Sequence, residues 1–196
     1  KKKKNLVYDD FKFVSALEAL PELSGRILVI NGVSKAYAMT GWRLGYGIGP
    51  KVLISAMSVV QGQATSAPSS ISQAAAVGAL TGPRDILAER RDDFMRRRDL
   101  IVSGLNAIDG IACANPRGAF YVFPDCSGLL GRTTPDGERI GTDMELCQYY
   151  LRAAGVAVVP GTVFGAPGHF RISYAYAQSA LEKGLDRIAV ASSALV

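Results

Sequence analysis

Two cations stand in an otherwise uncharged stretch of the sequence. Lys35 lies in NGVSKAYAMTGWRLGYGIGP (residues 31–50), and the next cation, Arg43, follows eight residues later. A lysine that is partly desolvated near another cation loses its proton more readily, and its neutral amine can attack a carbonyl group. The planar guanidinium of an arginine suits a phosphate. The spacing therefore permits a carbonyl-reactive lysine beside a phosphate-binding arginine; a lysine that only extends its amine into solvent is the alternative.

The elements on either side of Lys35 would bring it to the edge of a sheet. The preceding run RILVING (residues 26–32) is apolar and β-rich, which is typical of a strand buried on both faces in a parallel sheet. We expect Lys35 at the carboxyl end of that strand, where open α/β sheets bind ligands. RLGYGIGP (residues 43–50) predicts a second short strand, and we interpret its glycines as positions of close packing.

Helices and strands alternate along the rest of the chain. Ser15 with Glu18, and Thr142 with Glu145, form capping boxes, and Gly155 predicts the end of the second of these helices. Further helices are predicted over residues 51–62, over 69–80, after Pro83 and from Ser179, and strands in GAFYVFPDC (118–126), VAVVPG (156–161) and FRISYA (170–175). This alternation predicts a layered α/β or α+β fold.

One helix face is highly charged. ERRDDFMRRRD (residues 89–99) could bind phosphate groups, but cations and anions are interleaved along it. Interleaved charges favour a solvated face, on which close pairs contribute only ~0.2–0.5 kcal/mol each.

Charge and cysteine content exclude several classes of function. Lys1–Lys4 supply four of the 22 cations, which leaves 18 cations against 17 anions, so the folded part is nearly neutral and no nucleic-acid partner is expected. The three cysteines are an odd number without a CxxC pair, and there is one histidine, which argues against a disulfide framework and against a metal site. No apolar run is long enough for a membrane span. We expect a cytoplasmic protein without a metal or a membrane partner.

Longer motifs add a resemblance to a known family. SKAYAMTGWRLGYGIGP (residues 34–50) resembles the cofactor-lysine segment of class I, fold-type I aminotransferases that depend on pyridoxal phosphate, in particular the bacterial aspartate aminotransferases. MRRRDL (95–100), GAFYVF (118–123), AGVAVVPGTVFG (154–165) and FRISYA (170–175) resemble later landmarks of that family in the same order. The resemblance extends from about Leu6 to Val196.

The resemblance implies roles for four residues. Lys35 would bind pyridoxal 5'-phosphate as a Schiff base and move the substrate proton, and Arg43 would bind the cofactor phosphate, with Ser34 beside it. Arg171 would bind the α-carboxylate of the substrate, a task that suits a bidentate guanidinium better than an ammonium group. The implied reaction transfers an amino group between an amino acid, aspartate or glutamate, and a 2-oxo acid.

The resemblance also implies a domain organisation within an α/β fold. Residues 5–83 would be the C-terminal part of the large cofactor domain, residues 84–196 the smaller α+β C-terminal domain, and residues 1–4 a non-native lysine run. Members of the family are homodimers, which implies a homodimer for a full-length parent.

In the family, the residues that hold the pyridine ring precede the lysine, and no residue here matches them. Lys1–Lys4 stand near the expected place of one of these motifs, and Tyr8 is not its tyrosine. We therefore expect an incomplete C-terminal fragment that alone binds the cofactor weakly and has little or no activity. Two alternatives stay open. The first is a sister enzyme of the same fold, either an aminotransferase for prephenate, aromatic amino acids or alanine, or a lyase with the same cofactor. The second is a non-catalytic domain fragment.

Overall fold

The computed structural model describes residues 6–196. The chain divides between Arg90 and Arg91 into two compact units. The division falls inside a long helix, α4 (Asp85–Asn106).

Within residues 6–90, the first unit contains three complete helices, the start of a fourth and one hairpin. Its elements are α1 (Ala16–Ala19), a 3₁₀ turn (Pro21–Arg26), β1 (Val29–Gly32), a second 3₁₀ turn (Thr40–Trp42), β2 (Gly45–Ile48), α2 (Lys51–Thr65) and α3 (Ser70–Thr81), followed by the start of α4. The Ser15 hydroxyl accepts a hydrogen bond from the Glu18 backbone N–H at 3.2 Å and so caps α1. Pro50 directly precedes α2, as the predicted end of the second strand requires.

β1 and β2 pair antiparallel, with Gly32 opposite Gly45. The prediction of a strand buried on both faces of a parallel sheet was wrong: within residues 6–196 this sheet has two strands, and the Ile30 side chain is 67% exposed. An apolar run indicates that a strand is buried, but it does not specify which strand pairs with it or in which direction. The interpretation of the glycines is confirmed at Gly45 and Gly49, where an added Cβ would lie 3.2 Å from the Asn31 oxygen and 3.1 Å from Leu28 Cδ1, respectively.

Few apolar side chains are buried in the described part of the first unit. They are Tyr8, Val33, Ala76 and Leu87. Large apolar side chains on α2 and α3 are exposed instead, among them Val52, Val59, Val60, Ile71 and Val77. The first unit therefore presents an extensive apolar surface.

The second unit packs helices against a small antiparallel sheet. β3 (Tyr121–Val122), β4 (Val159–Pro160) and β5 (Phe170–Ser173) lie in the order β3-β5-β4, and the helices are the end of α4, α5 (Asp143–Tyr149), the π-helical turn Tyr150–Ala154 and α6 (Gln178–Ser193). All three predicted strands exist, but each is shorter than its sequence run. One continuous core contains buried side chains of α4, α5, α6 and the sheet, such as Leu105, Leu146, Phe170 and Ile188.

The predicted ends of the helices in this unit can be compared with the structure. The Thr142–Glu145 capping box is confirmed: the Thr142 hydroxyl accepts from the Glu145 N–H at 3.2 Å, and the Glu145 carboxylate accepts from the Thr142 N–H at 2.9 Å. Gly155 ends the helical segment with φ +62°, as predicted. α6 begins at Gln178, one residue before the predicted start at Ser179.

The charged face of α4 is only partly solvated. Exposed pairs such as Arg91 with Asp92 fit the prediction. Arg98 does not: its side chain is buried, pairs with Asp99 at 2.7 Å and donates to the Pro116 carbonyl at 3.3 Å. A helix periodicity shows which residues share a face, but not where a distant loop covers that face.

Candidate functional site

Lys35 lies in the loop that closes the β1–β2 hairpin. This loop comprises residues 33–44, and it begins at Val33, whose side chain is completely buried. Lys35 follows in a turn in which the Tyr37 N–H donates to the Val33 carbonyl at 3.1 Å and the Ala38 N–H to the Lys35 carbonyl at 3.3 Å. The side chain of Lys35 is exposed. The buried Val33 anchors the loop and leaves the amine accessible.

Arg43 lies near the other end of the same loop in a left-handed backbone conformation, with φ 50° and ψ 47°. Its Nη1 donates to the Thr40 carbonyl at 3.0 Å. Ala38 also has a positive φ, 53°. For residues with a Cβ this conformation costs roughly 1–2 kcal/mol each. Such strain is found most often where function requires a particular backbone path, so these two outliers point to this loop as a functional element.

The pairing of Gly32 with Gly45 brings the two ends of the loop together. Lys35 and Arg43 therefore lie at the same end of the hairpin, and half-buried Ser34 lies next to Lys35. An added Cβ on Gly32 would come within 3.1 Å of the Leu44 carbonyl oxygen, so the two ends of the loop approach as closely as glycine allows. The structure thus collects Ser34, Lys35 and Arg43 in one short loop.

Sequence reasoning missed one residue that supports this loop. Arg90, on the charged face of α4, donates from Nη1 to the carbonyl of Ala36 at 3.2 Å. The two residues are 54 positions apart, and nothing in the ERRDD sequence distinguishes Arg90 from its solvated neighbours. Arg90 therefore braces the residue that follows Lys35.

Arg171 lies on β5 in the second unit, opposite Val159 of β4. Its guanidinium carbon is 4.6 Å from the centre of the Tyr121 ring and 4.7 Å from that of Phe164. In residues 6–196, no hydrogen bond or ion pair engages its side chain, which is half-buried. Two rings thus hold the guanidinium while its N–H donors stay available, an arrangement that suits a carboxylate ligand.

Sequence reasoning also missed both rings. Tyr121 lies in GAFYVF and Phe164 in AGVAVVPGTVFG, so the quoted motifs contained them, but their spacing from Arg171 showed no relation to it. His169 belongs to the same aromatic cluster: its ring stacks on Phe123 with centroids 5.3 Å apart, and Nδ1 lies 3.1 Å from the Pro167 carbonyl oxygen. These contacts fit the interpretation of His169 as a loop residue.

The donor set of the loop of residues 33–44 can be compared with what a phosphorylated aldehyde requires. The loop of residues 33–44 offers an accessible primary amine, a guanidinium and a hydroxyl, which are groups that bind an aldehyde carbon and a phosphate. The residues present therefore fit such a group. Within residues 6–196, no cluster of three or more His, Cys, Asp or Glu side chains could hold a metal ion, and no helix is long and apolar enough to cross a membrane.

Comparisons with known sequences identify relatives. The sequence model of the family described as aminotransferase class I and II matches residues 4–188. The aspartate aminotransferase of Rhizobium meliloti (strain 1021) is 59% identical over 191 residues, which are 97% of this chain and 47% of that protein. The aspartate/prephenate aminotransferase of Cereibacter sphaeroides (strain ATCC 17029 / ATH 2.4.9) is 51% identical over 184 residues, 94% of this chain and 46% of that protein.

Solved structures show the same relationship. The crystal structure of the aspartate aminotransferase from Rhizobium meliloti matches with a TM-score of 0.96 at 58% identity and covers 99% of this chain and 48% of that one. The aromatic aminotransferase from Pyrococcus horikoshii OT3 matches with a TM-score of 0.85 at 35% identity, covering 96% of this chain and 48% of that one. The predicted α/β fold of the fold-type I aminotransferases is thereby confirmed.

The chain spans about half the length of the curated relatives it matches. The family match nevertheless covers almost all of the chain itself. The resemblance that was inferred from the Lys35 segment is confirmed, and the chain belongs to the class I and II aminotransferase family.

Proposed function

We propose that this chain carries part of an active site that transfers an amino group between an amino acid and a 2-oxo acid with pyridoxal 5'-phosphate. The observation that carries this proposal is the placement of Lys35 and Arg43 in one strained loop at the same end of a hairpin.

Three residues of the loop, Ser34, Lys35 and Arg43, have defined roles in this proposal. Lys35 would hold the cofactor through Nζ, Arg43 would hold its phosphate, and Ser34 would donate a hydroxyl hydrogen bond to the same phosphate. The cofactor, when bound, supplies an electron sink for the bond that breaks at the substrate Cα. Lys35 Nζ would take the Cα proton of the substrate as a general base and return it as a general acid.

Arg171 has the second task, which is to bind the α-carboxylate of the substrate. Its available donors can form two parallel N–H···O bonds with a carboxylate, which fixes orientation as well as charge. The Tyr121 and Phe164 rings stabilise the cation and limit the conformations of the side chain.

Aspartate is the proposed amino donor, because the relatives of 59% and 55% identity are named aspartate aminotransferase. The alternative is a sister activity: several relatives are named for aspartate and prephenate, and one structural neighbour is an aromatic aminotransferase. Arg171 would serve any of these, because every such substrate has an α-carboxylate. A substrate screen on a full-length parent separates them.

Domains, assembly and location are proposed on the same basis. We assign residues 5–83 to the large cofactor domain and residues 84–196 to the small domain. We also propose a homodimer for a full-length parent, because the exposed apolar side chains of α2 and α3 offer surface for contacts between subunits.

A cytoplasmic location suits the three free cysteines of the chain. Burial raises the pKa of Cys113 to about 11 and those of Cys126 and Cys147 to about 12, so all three are protonated at neutral pH.

The test of the function is covalent capture of the cofactor. The full chain is incubated with pyridoxal phosphate, reduced with borohydride and mapped by mass spectrometry, beside Lys35→Arg and a matched Lys183→Arg control on an exposed part of α6. We expect label at Lys35 in the wild type and in the control and none there in Lys35→Arg. Label spread evenly over surface lysines would contradict the assignment.

The same experiment separates a partial site from a complete one. We predict substoichiometric label at Lys35 and no steady turnover of aspartate by this polypeptide alone. Stoichiometric label together with steady turnover would contradict that prediction. The absence of any label at Lys35 would favour the alternative of a non-catalytic domain fragment.

A further inference from the structure

We propose that Asp143 is a positioning residue for Arg171. It fixes the loop that connects β4 to β5, residues 161–169, and this loop presents the Phe164 ring to the guanidinium. The inference rests on the proposed role of Arg171 as the carboxylate-binding residue.

The Asp143 residue is only 2% exposed, and its carboxylate binds this loop at Thr162 through both of its oxygens. One carboxylate oxygen, Oδ2, accepts from the backbone N–H of Thr162 at 2.8 Å, and Oδ1 accepts from the Thr162 hydroxyl at 2.6 Å. Asp143 therefore holds the start of the loop.

The loop is closed on itself by backbone bonds. The Gly161 N–H donates to the His169 carbonyl at 2.7 Å, the Ala166 N–H to the Gly161 carbonyl at 3.1 Å and the Gly165 N–H to the Thr162 carbonyl at 3.0 Å. With the loop closed and held by Asp143, the backbone at Phe164 has one defined position.

Phe164 depends on this backbone for its position. Its side chain is 50% exposed, so packing alone holds it weakly, and its ring neighbour is the exposed Phe123, with centroids 6.0 Å apart. The ring still lies 4.7 Å from the guanidinium carbon of Arg171. Tyr121, the other ring on Arg171, belongs to β3 and is held by the sheet. Of the two rings, Phe164 is the one that needs a separate support.

A role of Asp143 in starting α5 does not account for these bonds. The N-terminus of α5 is already capped by Thr142 and Glu145, and the side-chain hydrogen bonds of Asp143 reach Thr162, 19 residues away. A buried carboxylate is costly unless it is fully hydrogen-bonded. Two bonds to Thr162, one on each carboxylate oxygen, offset that cost and place the start of the loop at the same time.

The experiment measures the position of Phe164 through Arg171 without any ligand. The Arg171 Nε–Hε resonance of the full chain is assigned by its loss in Arg171→Lys, and its ring-current shift is followed in Phe164→Leu, Asp143→Ala, Asp143→Asn and Thr162→Val. Asp186→Asn, on the exposed face of α6, is the matched control. We expect Phe164→Leu to move the resonance and the Asp143 and Thr162 variants to move it in the same direction, while Asp186→Asn leaves it unchanged.

Binding of maleate supplies the second measurement. Loss of one ring contact at a partly exposed site should weaken maleate binding about 2- to 5-fold in Asp143→Ala, and Asp143→Asn should restore part of it. If the wild type does not bind maleate, the proposed role of Arg171 fails, and the resonance still tests the positioning.

Two results would overturn the inference. One is an Arg171 resonance that stays at its wild-type position in folded Asp143→Asn and Thr162→Val, although Phe164→Leu moves it. The other is a resonance that Phe164→Leu itself does not move. If Asp143→Ala does not fold, Thr162→Val removes a single donor and still decides the question.

Discussion

Arg171 and Tyr121 are diagonal neighbours on one face of the β3–β5 pair. Tyr121 lies opposite Ser173, and Arg171 is two residues from Ser173 on β5, so both side chains point to the same side of the sheet. This register explains the 4.6 Å between the guanidinium carbon and the ring centre. The position of Arg171 is thus determined by strand pairing.

Tyr121→Leu tests the contribution of that ring. Loss of the ring face should weaken maleate binding to the chain about 2- to 5-fold, whereas Tyr121→Phe, which keeps the ring, should bind as the wild type does. Calorimetric titration measures both. Equal weakening in the two variants would mean that the hydroxyl, and not the ring face, is the important group.

Arg171→Lys tests the guanidinium itself. A lysine cannot form the two parallel bonds, and a lost hydrogen bond to a charged group costs about 1.5–3 kcal/mol, or roughly a 10- to 150-fold loss of maleate affinity. Arg96→Lys, at an exposed surface pair with Asp93, should leave the affinity unchanged. A maleate affinity in Arg171→Lys equal to that of the control would exclude Arg171 as the carboxylate-binding residue.

Arg90→Gln tests the brace on the Lys35 loop. Without the bond to the Ala36 carbonyl, the Tyr37 and Ala38 amides should exchange with solvent faster, and borohydride-trapped cofactor at Lys35 should decrease. Arg91→Gln, which removes only an exposed pair with Asp92, is the control. Identical exchange rates in the two variants would show that Arg90 does not support the loop.

Gly161→Ala tests the closure of the loop of residues 161–169. An added Cβ would lie 2.3 Å from the Ala166 oxygen and 2.7 Å from the His169 oxygen, both on the backbone. We expect the free energy of unfolding to fall by about 3 kcal/mol or more, as for severe overpacking. Gly184→Ala in α6 has open space around it and should instead gain up to ~1 kcal/mol. Denaturant unfolding measures both, and a neutral Gly161→Ala would contradict the closed loop.

The Asp143 carboxylate predicts a dependence of stability on pH. Burial alone raises its pKa, but hydrogen bonds from the Thr162 hydroxyl and backbone and from the Gly168 backbone outweigh burial, so its pKa lies below the usual value. A lowered folded-state pKa contributes stability above the unfolded value of about 3.9, and this stability is lost as the pH falls through the folded pKa. Asp143→Asn should therefore show a shallower loss of unfolding free energy below about pH 5 than the wild type. Parallel curves would contradict the prediction.

Local sequence signals predicted part of this molecule. The Thr142–Glu145 box and the left-handed Gly155 follow from residues three or four positions apart, and both are present in the structure. The Lys35–Arg43 spacing, and the motif around it, identified the candidate loop and the family for the same reason: the motif is contiguous in the chain.

By itself, the sequence determined the family, the candidate cofactor loop and most helix boundaries, because each of these depends on residues that are close together in the chain. Only the tertiary structure decided that β1 pairs antiparallel, that Arg90 supports Ala36, that Asp143 binds Thr162, and that Tyr121 and Phe164 enclose Arg171. These relationships join residues 7 to 54 positions apart. Hydrogen bonds and ring contacts over such separations depend on chain packing, which no local pattern specifies.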